Sequence, residues 1–108
     1  MPIVDISGLM AKEKEAKIQI QKDLKVFFKT LGFSEDSTSV TFITDDTTGP
    51  DEHVMARMYS KKFMQMKFSE LEDMCDSVVV ILEKAGHPFS EAFPVPVLAM
   101  RGRWRKKS

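Results

Sequence analysis

Residues 31–36 read LGFSED, and residues 85–92 read AGHPFSEA. Both leave an apolar-striped segment through glycine and reach Phe-Ser-Glu before a further β-rich run. Leu31 and Ala85 stand 54 positions apart in a chain of 108 residues, so the second half restates the first. Ahead of the first glycine, AKEKEAKIQIQKDLKVFFKTLG (11–32) carries Ala16, Ile20, Leu24, Phe27, Phe28 and Leu31 at steps of three and four, with lysines and acids between them. That spacing predicts an amphipathic helix, and Gly32 stands where a C-terminal cap belongs. Ahead of the second glycine, Leu71, Met74, Cys75, Val78, Leu82 and Ala85 form the same stripe. Gly86 caps that helix and Pro88 prevents its continuation. SELE at 69–72 predicts a capping box, with Ser69 at the N-cap and Glu72 three residues on.

Strands flank each helix. MPIVDI (1–6) predicts a strand over 2–6, ended by Ser7-Gly8, and SVTFIT (39–44) alternates and is β-rich. HVMARMYS (53–60) sets Val54, Ala56 and Met58 on one face and Met55, Arg57 and Tyr59 on the other. FPVPVLAM (93–100) reads as the last strand, with DDTTGPDE (45–52) as the loop between halves. Pro94 and Pro96 would lack N–H groups on the same lateral side, which predicts that one side of this segment lies at a subunit edge or is irregular. The sum is an α/β (α+β) fold: one domain over 1–108, a duplicated β-α-β in halves of about 2–46 and 53–100, and a basic tail over 101–108. Crossovers of the usual hand make a four-stranded mixed sheet with two helices on one face. The other face is left bare, and in so small a protein further copies of the chain are its expected cover.

The totals bound the function. Apolar residues are 43% and charged residues 30%, a globular composition, and no apolar run approaches the length of a membrane span. No basic-then-apolar leader opens the chain, and the one cysteine, Cys75, forms no internal disulfide; a reducing cytoplasm is the expected location. The net charge is zero, which gives no overall field toward nucleic acid or membrane. The charge is nevertheless uneven: RGRWRKKS (101–108) holds five cations, and DDTTGPDE holds four anions. The tail reads as a single-strand nucleic-acid grip, as a solvated C-terminus, or as an arm whose Trp104 packs on a neighbouring subunit; zero net charge argues against the first. His53 and His87 have no further ligand at metal spacing, and no phosphate loop or nucleophile elbow is present. Neither a metal nor a cofactor is expected.

MPIVDI, a helix ending in glycine, the TSVTFITDD strand (38–46) and a second copy lacking the leading proline together resemble the tautomerase superfamily. That group contains 4-oxalocrotonate tautomerase, 5-carboxymethyl-2-hydroxymuconate isomerase and macrophage migration inhibitory factor. The length is similar to members with a fused β-α-β pair. The resemblance implies a homotrimer in which Met1 is removed and the amine of Pro2 serves as general acid/base on an enol or 2-keto acid. A small-molecule keto or enol carboxylate is then the substrate, and a cation should hold its carboxylate. The sequence departs from the family at two such positions, where Thr41 replaces an arginine and Phe33 a lysine. Lys61 and Lys62, then Arg57, are the replacement cations that the resemblance suggests. Phe33 and Tyr59 are candidate pocket walls, and Arg101 and Trp104 candidate contributions from the tail. The competing reading is a tautomerase-fold binding or interaction protein that has lost the chemistry.

Overall fold

The structure is a computed structural model describing residues 2–10, 12–33, 38–43 and 54–96. The first apolar stripe winds into α1 (Lys14–Thr30), burying Ile20, Leu24 and Phe28. The second winds into α2 (Phe68–Lys84), burying Met74, Val78 and Leu82. Both helices are stopped in the same way. Gly32 and Gly86 take φ of +99° and +101°, a conformation that strains any side chain with a Cβ. After α1, the Phe33 N–H donates to the Phe28 carbonyl and the Gly32 N–H to the Lys29 carbonyl, both at 3.1 Å. After α2, the His87 N–H donates to the Leu82 carbonyl at 3.1 Å and the Gly86 N–H to the Glu83 carbonyl at 2.9 Å. This is the double closure of a Schellman motif. The residue after each glycine differs. Phe33 meets Phe28 edge-on with ring centroids 5.8 Å apart. His87 instead places Nε2 2.8 Å from Glu13 Oε1, and the other Glu13 oxygen accepts from the Met10 N–H at 2.6 Å. The end of α2 is thereby tied to the start of α1.

Four strands, β1 (Ile3–Ser7), β2 (Ser39–Ile43), β3 (Val54–Ser60) and β4 (Ser90–Pro96), form one sheet in the order β2-β1-β3-β4. β1 runs parallel to β2 and β3 parallel to β4, as β-α-β units require, while β1 and β3 are antiparallel. The mixed sheet is thus two parallel pairs joined at their middle strands. Val4, Ile6, Val54, Ala56 and Met58 alternate onto one face and are buried with the two helix stripes, Leu9 and Phe63. The other face carries rows fixed by register. One row is Thr41, Asp5, Arg57 and Phe93; the next is Ser39, Ile3, Tyr59 and Val95. Ile3, Ile43 and Phe93 keep 41–49% of their surface exposed there, and no helix among the described residues covers them.

The element ends depart from the sequence reading. α1 spans fewer residues than 11–32, and β1 lies one residue later than 2–6. β4 begins at Ser90 rather than Phe93: as an edge strand paired on one side, it admits Ser90 and Glu91, which carry no apolar signal. Residues 97–100 of the expected strand, Thr44, His53, the 45–52 loop and most of the FSED repeat lie outside the described residues. α2 does not start at Ser69. Its N-cap is Lys67, and Glu70, not Glu72, closes the first turn by accepting from the Lys67 N–H at 2.8 Å. Phe68, 76% exposed, gives no buried signal to mark that start. A 3-10 turn over Lys61–Gln65, which the sequence reading does not contain, follows β3 directly and buries Phe63.

Among the described strands β4 is an edge, and the backbone nitrogens of its prolines lie on the unpaired side. The Val54 N–H donates to the Phe89 carbonyl at 3.3 Å. In a parallel ladder, Phe89, Glu91, Phe93 and Val95 therefore turn their backbone groups to β3. Pro94 and Pro96 fall on the alternate positions, so the missing N–H groups lie on the free side and the ladder to β3 loses none.

Two outcomes follow from this packing. Phe28, fully buried beneath Phe27 and Phe33, should cost about 3–5 kcal/mol when replaced by alanine. Ile18→Ser, on the solvent side of α1 at 66% exposure, should stay within about 0.5 kcal/mol. Urea unfolding at one fixed protein concentration compares them. Cys75 is half-buried on α2, and burial, then Asp76 and Glu72, push its thiol pKa up. Because the thiolate is the reactive form, iodoacetamide should modify folded Cys75 more slowly than the unfolded chain at the same pH, and the gap should narrow as pH rises through the raised pKa.

Candidate active site

Pro2 immediately precedes β1, and its ring is fully buried. Its carbonyl accepts from the Ser39 N–H at 3.0 Å, which continues the β1–β2 ladder one residue beyond Ile3. By that register Thr38 lies beside Pro2 on one flank, and the antiparallel pairing places Ser60 on the other. Alternation puts all three on the helix-covered face, in phase with Val4, Val40 and Met58. Thr38 and Ser60 are 4% and 3% exposed. Pro2 therefore sits in the last row of the core, between two buried hydroxyl side chains.

The two hydroxyls are not equivalent. The Ser60 Oγ accepts from the Lys62 N–H at 3.2 Å, capping the 3-10 turn. The Thr38 Oγ1 has no hydrogen-bond partner among the described residues, an arrangement that ordinarily costs about 1–3 kcal/mol. Neither residue was singled out from the sequence. The available signal was parity: Thr38 carries the Val40–Phe42 alternation one step back, into line with Pro2.

The 3-10 turn brings a cation to this end of the sheet. Lys62 Nζ donates to the Leu31 carbonyl at 3.1 Å and lies 4.6 Å from the centroid of the Phe33 ring. A Cβ placed on Gly32 would come within 3.2 Å of the same nitrogen. The ammonium thus rests at the C-terminal end of α1, where carbonyl ends favour positive charge, and on an aromatic face. It remains exposed. Phe33, which occupies the position where the resemblance calls for a lysine, is 8% exposed and carries the Lys62 ammonium over its ring.

The other candidates are dispersed. Lys61 is exposed at the start of the 3-10 turn. Arg57 lies on the open face, opposite Asp5 and in one row with Thr41, and so is separated from Pro2 by the sheet. Tyr59 is half-buried on that open face, opposite Ile3. Arg101 and Trp104 lie outside the described residues. Among the described residues no three His, Cys, Asp or Glu side chains converge on a cation site, and no helix is long and apolar enough to cross a membrane.

No family model and no curated protein matches this sequence. Solved structures do. A protein of unknown function from Vibrio cholerae O1 aligns with a TM-score of 0.69 at 6% identity, over 95% of this chain and 83% of that one. N1, a member of the cis-3-chloroacrylic acid dehalogenase family, aligns at 0.56 with 18% identity over 93% and 79%. A macrophage migration inhibitory factor-like protein from Entamoeba histolytica aligns at 0.53 with 12% identity over 88% and 87%. A fused 4-OT symmetric trimer aligns at 0.54 with 10% identity over 92% and 93%. Identities this low speak for the backbone. The backbone of the doubled β-α-β sheet is shared with these structures over most of its length, and the chain has the tautomerase-superfamily fold.

Proposed function

We propose that this protein is a homotrimeric tautomerase or isomerase acting on an enol or 2-keto acid, with Pro2 as general acid/base once Met1 is removed. The observation that carries this reading is the seating of Pro2 in the buried end row of the sheet, at the same end as the exposed Lys62 ammonium. An N-terminal amine ordinarily titrates at about 7.7–8.0, and a prolyl amine is more basic. Burial and nearby cations disfavour the ammonium and bring the free amine toward neutral pH. The amine takes the proton from the enol oxygen, the carbonyl forms, and the shifted electron pair makes a carbon basic. The ammonium then delivers the proton to that carbon, and the amine is regenerated. Lys62 binds the substrate carboxylate and offsets charge on the enolate. It supplies from the second half the cation that Phe33 does not.

The trimer reading draws on the uncovered sheet face and on the assembly of the fused 4-OT protein. Ile3, Ile43 and Phe93 would be covered by neighbouring copies. Arg57 would enter the interface with Asp5 opposite it, and Arg101 and Trp104 are proposed to reach a neighbouring pocket from the tail. The reading places the protein in the cytoplasm.

Thr41 favours a second reading. Where the resemblance calls for an arginine, an exposed threonine stands on the open face. A tautomerase-fold binding protein without turnover would need neither that arginine nor a free Pro2.

Intact mass of the protein from its native cell should lack the methionine; a retained Met1 removes the proposed base. In Met1-free protein, Pro2→Ala should lower ketonisation of a phenylpyruvate enol or a hydroxymuconate by about 10²-fold or more. Unchanged turnover would sink the mechanism. Lys62→Ala should raise KM for the carboxylate by about three- to tenfold, an exposed charge-assisted contact, with a smaller change in kcat.

Sedimentation velocity should give the mass of three 12.3-kDa chains. Phe93→Asp should shift the protein toward one chain. A wild type that sediments as a single chain would contradict the assembly.

A further inference from the structure

A buried hydroxyl with nothing to bond is a defect unless its partner is absent from the chain as it stands. Thr38 is 4% exposed and its Oγ1 is unpartnered among the described residues. In sheet register it lies beside Pro2, on the same buried face. Within an extended strand the nitrogen and carbonyl of one residue point to the same lateral side. The Pro2 carbonyl points at β2, where it accepts from Ser39, so the Pro2 nitrogen also points toward β2 and Thr38. While Met1 is attached that nitrogen is an amide with no hydrogen and a delocalised lone pair, and it offers a hydroxyl nothing. Without Met1 it becomes a secondary ammonium with two N–H donors. The hydroxyl without a partner and the nitrogen that gains donors are neighbours.

We infer that Thr38 is a positioning residue for the Pro2 amine: its hydroxyl accepts a hydrogen bond from the ammonium and fixes the direction in which the remaining proton and lone pair point. The inference rests on the reading of Pro2 as a free amine. It does not rest on turnover. Among the described residues, the charged and titratable groups on the surrounding elements leave this role to Thr38. Lys29 lies in the last turn of α1, and Lys61 and Lys62 lie in the 3-10 turn; all three are cations. Tyr59 of β3 and Asp5 of β1 alternate onto the open face. Ser60, on the other flank, already caps the 3-10 turn through its hydroxyl. A hydrogen bond accepted from the ammonium favours the charged form, so Thr38 raises the amine pKa while burial and the lysines lower it.

The test uses chain beginning at Pro2, its mass verified, with the proline labelled in nitrogen-15. The Pro2 nitrogen signal is followed through its titration in wild type, Thr38→Val and Thr38→Ser. The expected result is a pKa lower by about one unit in Thr38→Val, a tenfold change in the ionisation constant, with Thr38→Ser close to wild type. A Thr38→Val protein that is folded and titrates like wild type would overturn the inference. Because the valine variant could misfold, a crystal structure of the Met1-free wild type supplies a second measurement. Thr38 Oγ1 should lie within about 3.2 Å of the Pro2 nitrogen, and a separation beyond about 4 Å would overturn the inference. The enzymatic reading fails separately, on unchanged turnover in Pro2→Ala, and the titration and the distance are read without turnover.

Discussion

The antiparallel pairing of β1 with β3 is the constraint on which the rest depends. Each half of the chain closes locally, a parallel strand pair spanned by its own helix. Ile3↔Tyr59, Asp5↔Arg57 and Ser7↔Met55 are the pairs that fuse the halves into one sheet. A slip of one residue would carry Val4 and Ile6 out of the core and bring Asp5 into it. The same register seats Pro2 between Thr38 and Ser60. Core formation and site formation are therefore one event: the hydrophobic pattern that selects the register also selects the neighbours of the proline.

A second constraint acts at the helix ends. α1 is closed by Phe33 folding back on Phe28, and this turns the Leu31 carbonyl and the Phe33 ring toward the 3-10 turn after β3. Lys62 accepts that invitation from the other half of the chain. The duplicated closure of α2 lacks the aromatic partner and has His87 on Glu13 in its place. The two closures thus differ in what the residue after the glycine does. One copy builds a seat for a cation, and the other builds a strap between the two helices.

What the sequence revealed was what local periodicity encodes. The stripes ending at Gly32 and Gly86, the alternation of β3 and the bare sheet face were all readable, because burial repeats at fixed steps. The start of α2 was not, since Phe68 and Ser69 are both exposed and Glu70 closes on the backbone of Lys67 rather than on a serine cap. The start of β4 was hidden for a related reason: Ser90 and Glu91 belong to a strand through backbone pairing with Val54 and Met55. At the candidate site Pro2, Lys62 and Phe33 were legible through the resemblance, whereas Thr38 and Ser60 were not. Those two flank Pro2 through strand register, and Lys62 reaches Phe33 through a 3-10 turn, contacts between residues far apart in the chain, for which no spacing rule exists.

The prolines of β4 set a limit on how this sheet can grow. Another chain arriving at that edge finds outward N–H groups at Ser90 and Ala92, and none at Pro94 or Pro96. It can pair in full along the first part of the strand and finds only carbonyl acceptors along the second. An incoming strand held along a few residues can brace a neighbour in a closed ring, but it offers no flat, continuous template for stacking chain upon chain. The two residues that look like flaws in a strand thus reduce what that side can offer. They leave an edge that can pair in full along its first residues and only in part along its last.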